Sequence, residues 1–108
     1  MSGAQIIDLW IEVHASEIHE MVEFVVRSDN WSTAPNSGAW VDFESDIAWA
    51  RITVWPEGQA DLEIVDAKTS ENVFWRHCDD LRDEIIEEWF SAFKDLFKTV
   101  GGVKGSRR

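Results

Sequence analysis

A single cysteine and a shortage of basic residues are what this sequence shows first. Cys78 is alone among 108 residues, so no internal disulfide can form and no thiolate cluster can hold a metal. Lysine and arginine number 10 against 21 aspartates and glutamates, a formal charge of -11. A phosphate backbone would repel such a chain, which argues against nucleic acid as a partner. The natural complement is a basic protein surface, although acidity alone is common and names no partner. Long apolar runs are missing too, and no stretch approaches the length of a membrane span. The opening MSGAQIIDLWIEV has no basic residue ahead of its apolar ones, so it does not read as a signal peptide. These absences lead to the expectation of a cytoplasmic protein with no membrane partner.

A catalytic constellation is also lacking. His14 and His19 lie five apart and fall on different sides of a helix. His19 and Glu23 share a helical face and could hold a metal weakly, but a solvated face is the plainer reading. His14 falls within an apolar stripe, where a half-buried, hydrogen-bonded histidine is the usual occupant. His77-Cys78-Asp79 sets reactive types side by side, yet neighbours on a strand point to opposite faces and make no dyad. Gly101-Gly102 follows a helical pattern instead of leading into one, and no phosphate-loop motif surrounds it. Carboxylates are too plentiful for any pair to stand out. The expectation is therefore no enzyme, no cofactor and no metal.

What is present is patterning. Length and a hydrophobic content of 44% fit one globular domain over residues 1–100, followed by a basic tail, 101–108, expected to be disordered. Ile7, Trp10, Ile11, Ile18, Met21, Val22 and Val25 recur at helical spacing, which predicts one amphipathic helix over about 4–27. Ser2 is its candidate N-cap and Ser28-Asp29-Asn30 its candidate stop. Residues 28–38, SDNWSTAPNSG, read as a loop. The period then changes to alternation. AWVDFE, IAWARITVW, QADLEIV and VFWRH read as four strands, with Pro56-Glu57-Gly58 turning the second into the third. A helix is expected from about 80 to 99, capped by Asp79 or Asp80. Its stripe is Leu81, Ile85, Trp89, Ala92 and Leu96, widened by Ile86 and Phe93.

The fold class expected is α+β: an N-terminal helix, a four-stranded antiparallel β-meander and a C-terminal helix, with both helices packed on one sheet face. A helix on each face would bury Asp42, Glu44, Asp61 and Glu63, and burying unpaired carboxylates costs several kcal/mol or forces them to neutralise. One face should therefore stay open. Trp40, Asp42, Glu44, Trp49, Arg51, Trp55, Asp61 and Glu63 share it if the register holds. Aromatic anchors and an arginine among polar groups have the anatomy of a protein–protein hot spot. Cross-strand tryptophans could instead merely stabilise the sheet. The carboxylates around them favour a basic protein partner.

The run ARITVWPEGQADLEIVDAKTSENVFWRH, residues 50–77, resembles immunity proteins of the TriTu type, which accompany Rhs-type toxins carrying ADP-ribosyltransferase domains. The shared shape is a strand with Arg51, Ile52, Thr53, Val54 and Trp55, a turn with Gly58, and an acidic strand with Asp61, Leu62, Glu63 and Ile64. Flanking helices before and after the sheet are similar as well. The loop SDNWSTAPNSG and the basic tail have no counterpart in that pattern. The resemblance implies an antitoxin that binds and blocks a cognate toxin domain of a type VI secretion system, with no chemistry of its own. The family's target chemistry, modification of elongation factor Tu by the toxin, is not implied for this partner. The other reading of the same face is a small acidic adaptor or regulatory protein on a basic housekeeping partner. Neither reading sets an oligomeric state.

Overall fold

The computed structural model describes residues 2–31 and 38–105. Helix α1 (Gly3–Val13) opens on Ser2. Its Oγ accepts from the Gln5 N–H at 3.2 Å while the Gln5 side chain accepts from the Ser2 N–H at 2.8 Å, a closed capping box. The helix stops at His14, and a short helix, α2 (Ala15–Met21), follows. By Val22 the backbone is extended, with φ -126° and ψ 151°. Strand β1 (Phe24–Arg27) comes next. The single helix expected over 4–27 is therefore two helices and a strand.

The reason lies in the neighbouring chain. Phe24-Val25-Val26 is aromatic and β-branched, so it suits a pleated surface. Strand β2 (Ala39–Glu44) supplies the partner, with Phe24 opposite Glu44 and Val26 opposite Asp42. Short apolar runs can satisfy either period, and here strand pairing decided. Ser28, expected to end the helix, instead tightens the way into β2: its Oγ accepts from the Trp40 N–H at 3.1 Å. Part of the expected loop, 32–37, lies outside the described residues.

Strands β3 (Ala48–Val54), β4 (Ala60–Asp66) and β5 (Asn72–Cys78) complete a five-stranded antiparallel meander in the order β1-β2-β3-β4-β5. The expected four strands are β2 to β5, and β1 is the addition. Between β3 and β4, Gly58 takes φ 104°, a left-handed conformation that most residues avoid. Helix α3 (Asp83–Gly105) closes the fold. Its first backbone bonds, from the Ile85 and Ile86 N–H groups, go to the Arg82 carbonyl. The helix begins at Asp83, downstream of the expected caps: Asp79 bonds His77, and Asp80 bonds Arg82. Of the expected tail, 101–105 is helical and 106–108 lies outside the described residues. A helix already under way tolerates glycine at a cost of about 1 kcal/mol each.

One face of the sheet is dry. Val41, Phe43, Ala50, Ile52, Leu62 and Ile64 are buried on it. Phe43 meets Trp10 of α1 edge-on at 5.8 Å and Phe93 of α3 at 5.3 Å, so both helices cover the same side. Each such aromatic pair adds about 0.5–1.5 kcal/mol beyond the area it buries. The stripe of α3 is rotated from the expected one. Ile86, Trp89, Phe90, Phe93 and Phe97 are buried, whereas Ile85, Ala92 and Leu96 are its half-buried flanks. Phe90 and Phe93 meet Trp10, and Phe93 also meets Phe43 and stacks on Phe97, so aromatic contacts set which stripe is buried.

Candidate protein-binding face

With α1 and α3 on one side, the opposite side of the sheet is covered by no helix or strand among the described residues. Directly opposed residues of an antiparallel pair share a face, so the register writes the composition of that surface. One row across the sheet runs Val26, Asp42, Arg51, Glu63, Trp75. The row beside it runs Phe24, Glu44, Trp49, Val65. On the other side lie Trp40, Thr53, Asp61 and His77. Trp55, just past β3, lays its indole over Gly38, where a Cβ would stand 2.8 Å from Nε1. The residues expected together on an open face are thus brought together, with Trp55 at its end. Their roles differ once distances are considered.

Arg51 is not a free cation. Its Nε donates to Asp42 Oδ1 at 2.7 Å and Nη2 donates to Oδ2 at 2.9 Å, a bidentate clamp. Its guanidinium also lies 4.1 Å from the centroid of the Trp40 ring. The hydrogen bond to Asp42 raises the Arg51 pKa, against partial burial, and the charges of Asp42, Glu63 and Glu44 add to it. Asp61 is engaged as well: it accepts from His77 on β5, and the other ring nitrogen of His77 reaches Asp79 at 3.1 Å. These two carboxylates raise the His77 pKa, Asp61 first. Trp75 stacks on the same imidazole at an interplanar angle of 13°.

Glu44 and Glu63 contrast with these pairs. Neither carboxylate has a hydrogen bond or an ion pair with a described residue. Both line a shallow depression of about 230 Å³ with Trp49, Arg51 and Val65. Large apolar side chains stand around it: Trp49 is 46% exposed, Trp75 52% and Phe24 59%. Leaving such groups in water forgoes a burial free energy of roughly 1.5–3 kcal/mol for a phenylalanine-sized side chain. Large exposed apolar side chains set among charges are a kind of surface that binding partners cover.

Phe24, Val26, Val65, Trp75 and His77 are members of this face that the sequence reading did not place there. Trp75 and His77 could have been found, since alternation in VFWRH together with the β4–β5 register puts them opposite Glu63 and Asp61. Phe24 and Val26 were hidden by the helical reading of 4–27. His14 and Cys78 lie away from this face. His14 is half-buried and bonds Glu17 at 3.2 Å and Glu87 at 3.0 Å. Cys78 sits on the inner side opposite Ala60, and burial pushes its thiol pKa up, which disfavours the reactive thiolate. Among the described residues no group of three or more His, Cys, Asp or Glu could hold a metal ion. No described helix is long and apolar enough to cross a membrane.

The family model described as "Immunity protein TriTu" matches residues 5–99, from within α1 to within α3. No curated protein and no solved structure matches the chain.

Proposed function

Because the chain belongs to the TriTu family of immunity proteins, we propose that it neutralises a cognate toxin by docking the uncovered sheet face on the toxin's catalytic domain. The observation that carries this reading is the exposure of Trp49, Trp75 and Phe24 among carboxylates on a face that the core does not use. Tryptophan is the residue type most enriched where interfaces concentrate their energy. The acids steer a basic surface into register, and the aromatics hold it once water is excluded. Neutralisation on this reading is occlusion of the toxin's active or target-binding site, with no reaction catalysed by the chain. The toxin partner is of the Rhs type, delivered by a type VI secretion system, with an ADP-ribosyltransferase domain as the family resemblance implies.

The test is co-expression with the cognate toxin domain in a susceptible host. The parent chain should restore growth, and Trp49→Ala together with Trp75→Ala should abolish protection while circular dichroism stays unchanged. Full protection by that folded double variant would remove the sheet face from the mechanism. Failure of the parent chain to protect against any adjacent toxin, with retention of a basic host protein instead, would favour an adaptor role.

A further inference from the structure

What the depression bordered by Glu44, Trp49 and Glu63 can bind rests on the docking face proposed above. Three carboxylates, Asp42, Glu44 and Glu63, line it against one guanidinium, Arg51. Arg51 and Asp42 neutralise each other through their bidentate bond, and Trp40 occupies one face of that guanidinium. The charge left over belongs to Glu44 and Glu63, which have no hydrogen-bonding partner among the described residues. Trp49 lies directly opposite Glu44 and next to Val65 across the strands, so an aromatic side chain borders the acid pair.

We infer that this depression is a receptor for an arginine side chain of the toxin, which would bridge Glu44 and Glu63 and lie against the Trp49 indole. A guanidinium is planar and presents five donors in a fixed fork, so it can serve two carboxylates at once and still stack on an aromatic ring. The clamp on Arg51 is what makes the receptor usable. A mobile arginine would fold onto Glu63 or Glu44 and fill the place from within. Held by Asp42 and stacked on Trp40, it is kept aside as part of the wall. The structure thus places a satisfied Asp–Arg pair next to an unsatisfied acid pair, which gives an arginine-bearing partner a defined register on an otherwise broad face.

Two measurements test this. In the first, the Trp49 indole N–H is followed by NMR during titration with N-acetyl-argininamide, with N-acetyl-citrullinamide as the uncharged isostere. A saturable shift with the arginine probe alone, abolished in Glu44→Gln/Glu63→Gln, is the expected result. An equal response to both probes, or no saturable response to arginine, overturns the inference. In the second, kinetics are recorded against the purified, catalytically inactive toxin domain. The double glutamine variant should bind roughly tenfold more weakly or worse, mostly through faster dissociation, because a desolvated charge pair is lost. Unchanged binding by that variant, with binding lost in Trp49→Ala/Trp75→Ala, would reject the arginine receptor and keep the face. Unchanged binding by both variants would reject the face itself.

Discussion

At the scale of single residues, the open face depends on groups that are already committed and groups that are not. Gly38 is committed by space. The Trp55 indole lies where a Cβ would be, 2.8 Å from Nε1. Gly38→Ala must therefore displace Trp55, and overpacking of this kind costs about 1–3 kcal/mol. Chemical denaturation should show a lower midpoint at unchanged slope. A midpoint equal to the parent's would mean that the indole moves aside freely. Trp55 is thus tied to the β2–β3 pair, and the exposed Trp49 and Trp75 are better anchors for a partner. The outward alternation of Trp40, Trp49 and Trp55 was legible in the sequence. Which of them is stacked, exposed or laid over backbone was not, because that depends on neighbours from other strands.

At the scale of elements, the helices are joined by a histidine rather than by apolar packing alone. His14, at the α1–α2 junction, bonds Glu17 of α2 and Glu87 of α3, and Glu17 also meets Lys94 at 3.4 Å. Burial works to lower the His14 pKa, but the bonds to Glu87 and Glu17 outweigh it, and the folded value lies above the ordinary 6.5. A folded pKa above the unfolded one stabilises the native state fully below about 6.5 and loses that contribution as pH rises through the folded value. On the acid side, the hydrogen bond from His14 holds the Glu17 carboxyl below its usual range, and that contribution disappears as pH falls through the lowered value. Thermal unfolding of the parent and of Glu87→Gln should therefore differ most near pH 6. The gap should narrow as pH rises above neutrality. A gap that is constant between pH 6 and pH 9 would show that His14 is not charged between the helices. The sequence identified His14 as a half-buried histidine on the apolar stripe; its distant partner Glu87 was not readable, because the two are brought together only by the packing of α3.

For the whole molecule, charge governs the encounter. With a formal charge of -11, the chain should associate with a basic toxin domain at a rate that falls steeply with salt, by about tenfold or more between low and physiological ionic strength. Asp61 and Glu63 lie on the proposed docking face, so reversing both to lysine should slow association and flatten its salt dependence. Dissociation should change further because Asp61 is also the partner of His77. Stopped-flow association at two ionic strengths reads both effects. A salt-independent rate for the parent would show that the acids do not steer.

The sequence by itself determined the local periods, the capped start at Ser2, the turn at Gly58, the α+β class and the inside and outside of β2, β3 and β4. These follow from side-chain alternation and backbone preference, which act between near neighbours. Its resemblance to TriTu immunity proteins, carried by Arg51 to Trp55 and Asp61 to Ile64, was legible as well. Only the tertiary structure decided that residues 24–27 form a strand, because pairing with β2 stabilises a run whose own periodicity is compatible with either conformation. It also decided which charges remain free. Asp42 and Arg51 are nine residues apart and Asp61 and His77 sixteen apart, yet they bond across strands, whereas Glu44 and Glu63 have no hydrogen bond or ion pair among the described residues. Pairing of charges depends on geometry between strands, and a list of residues carries no such distances.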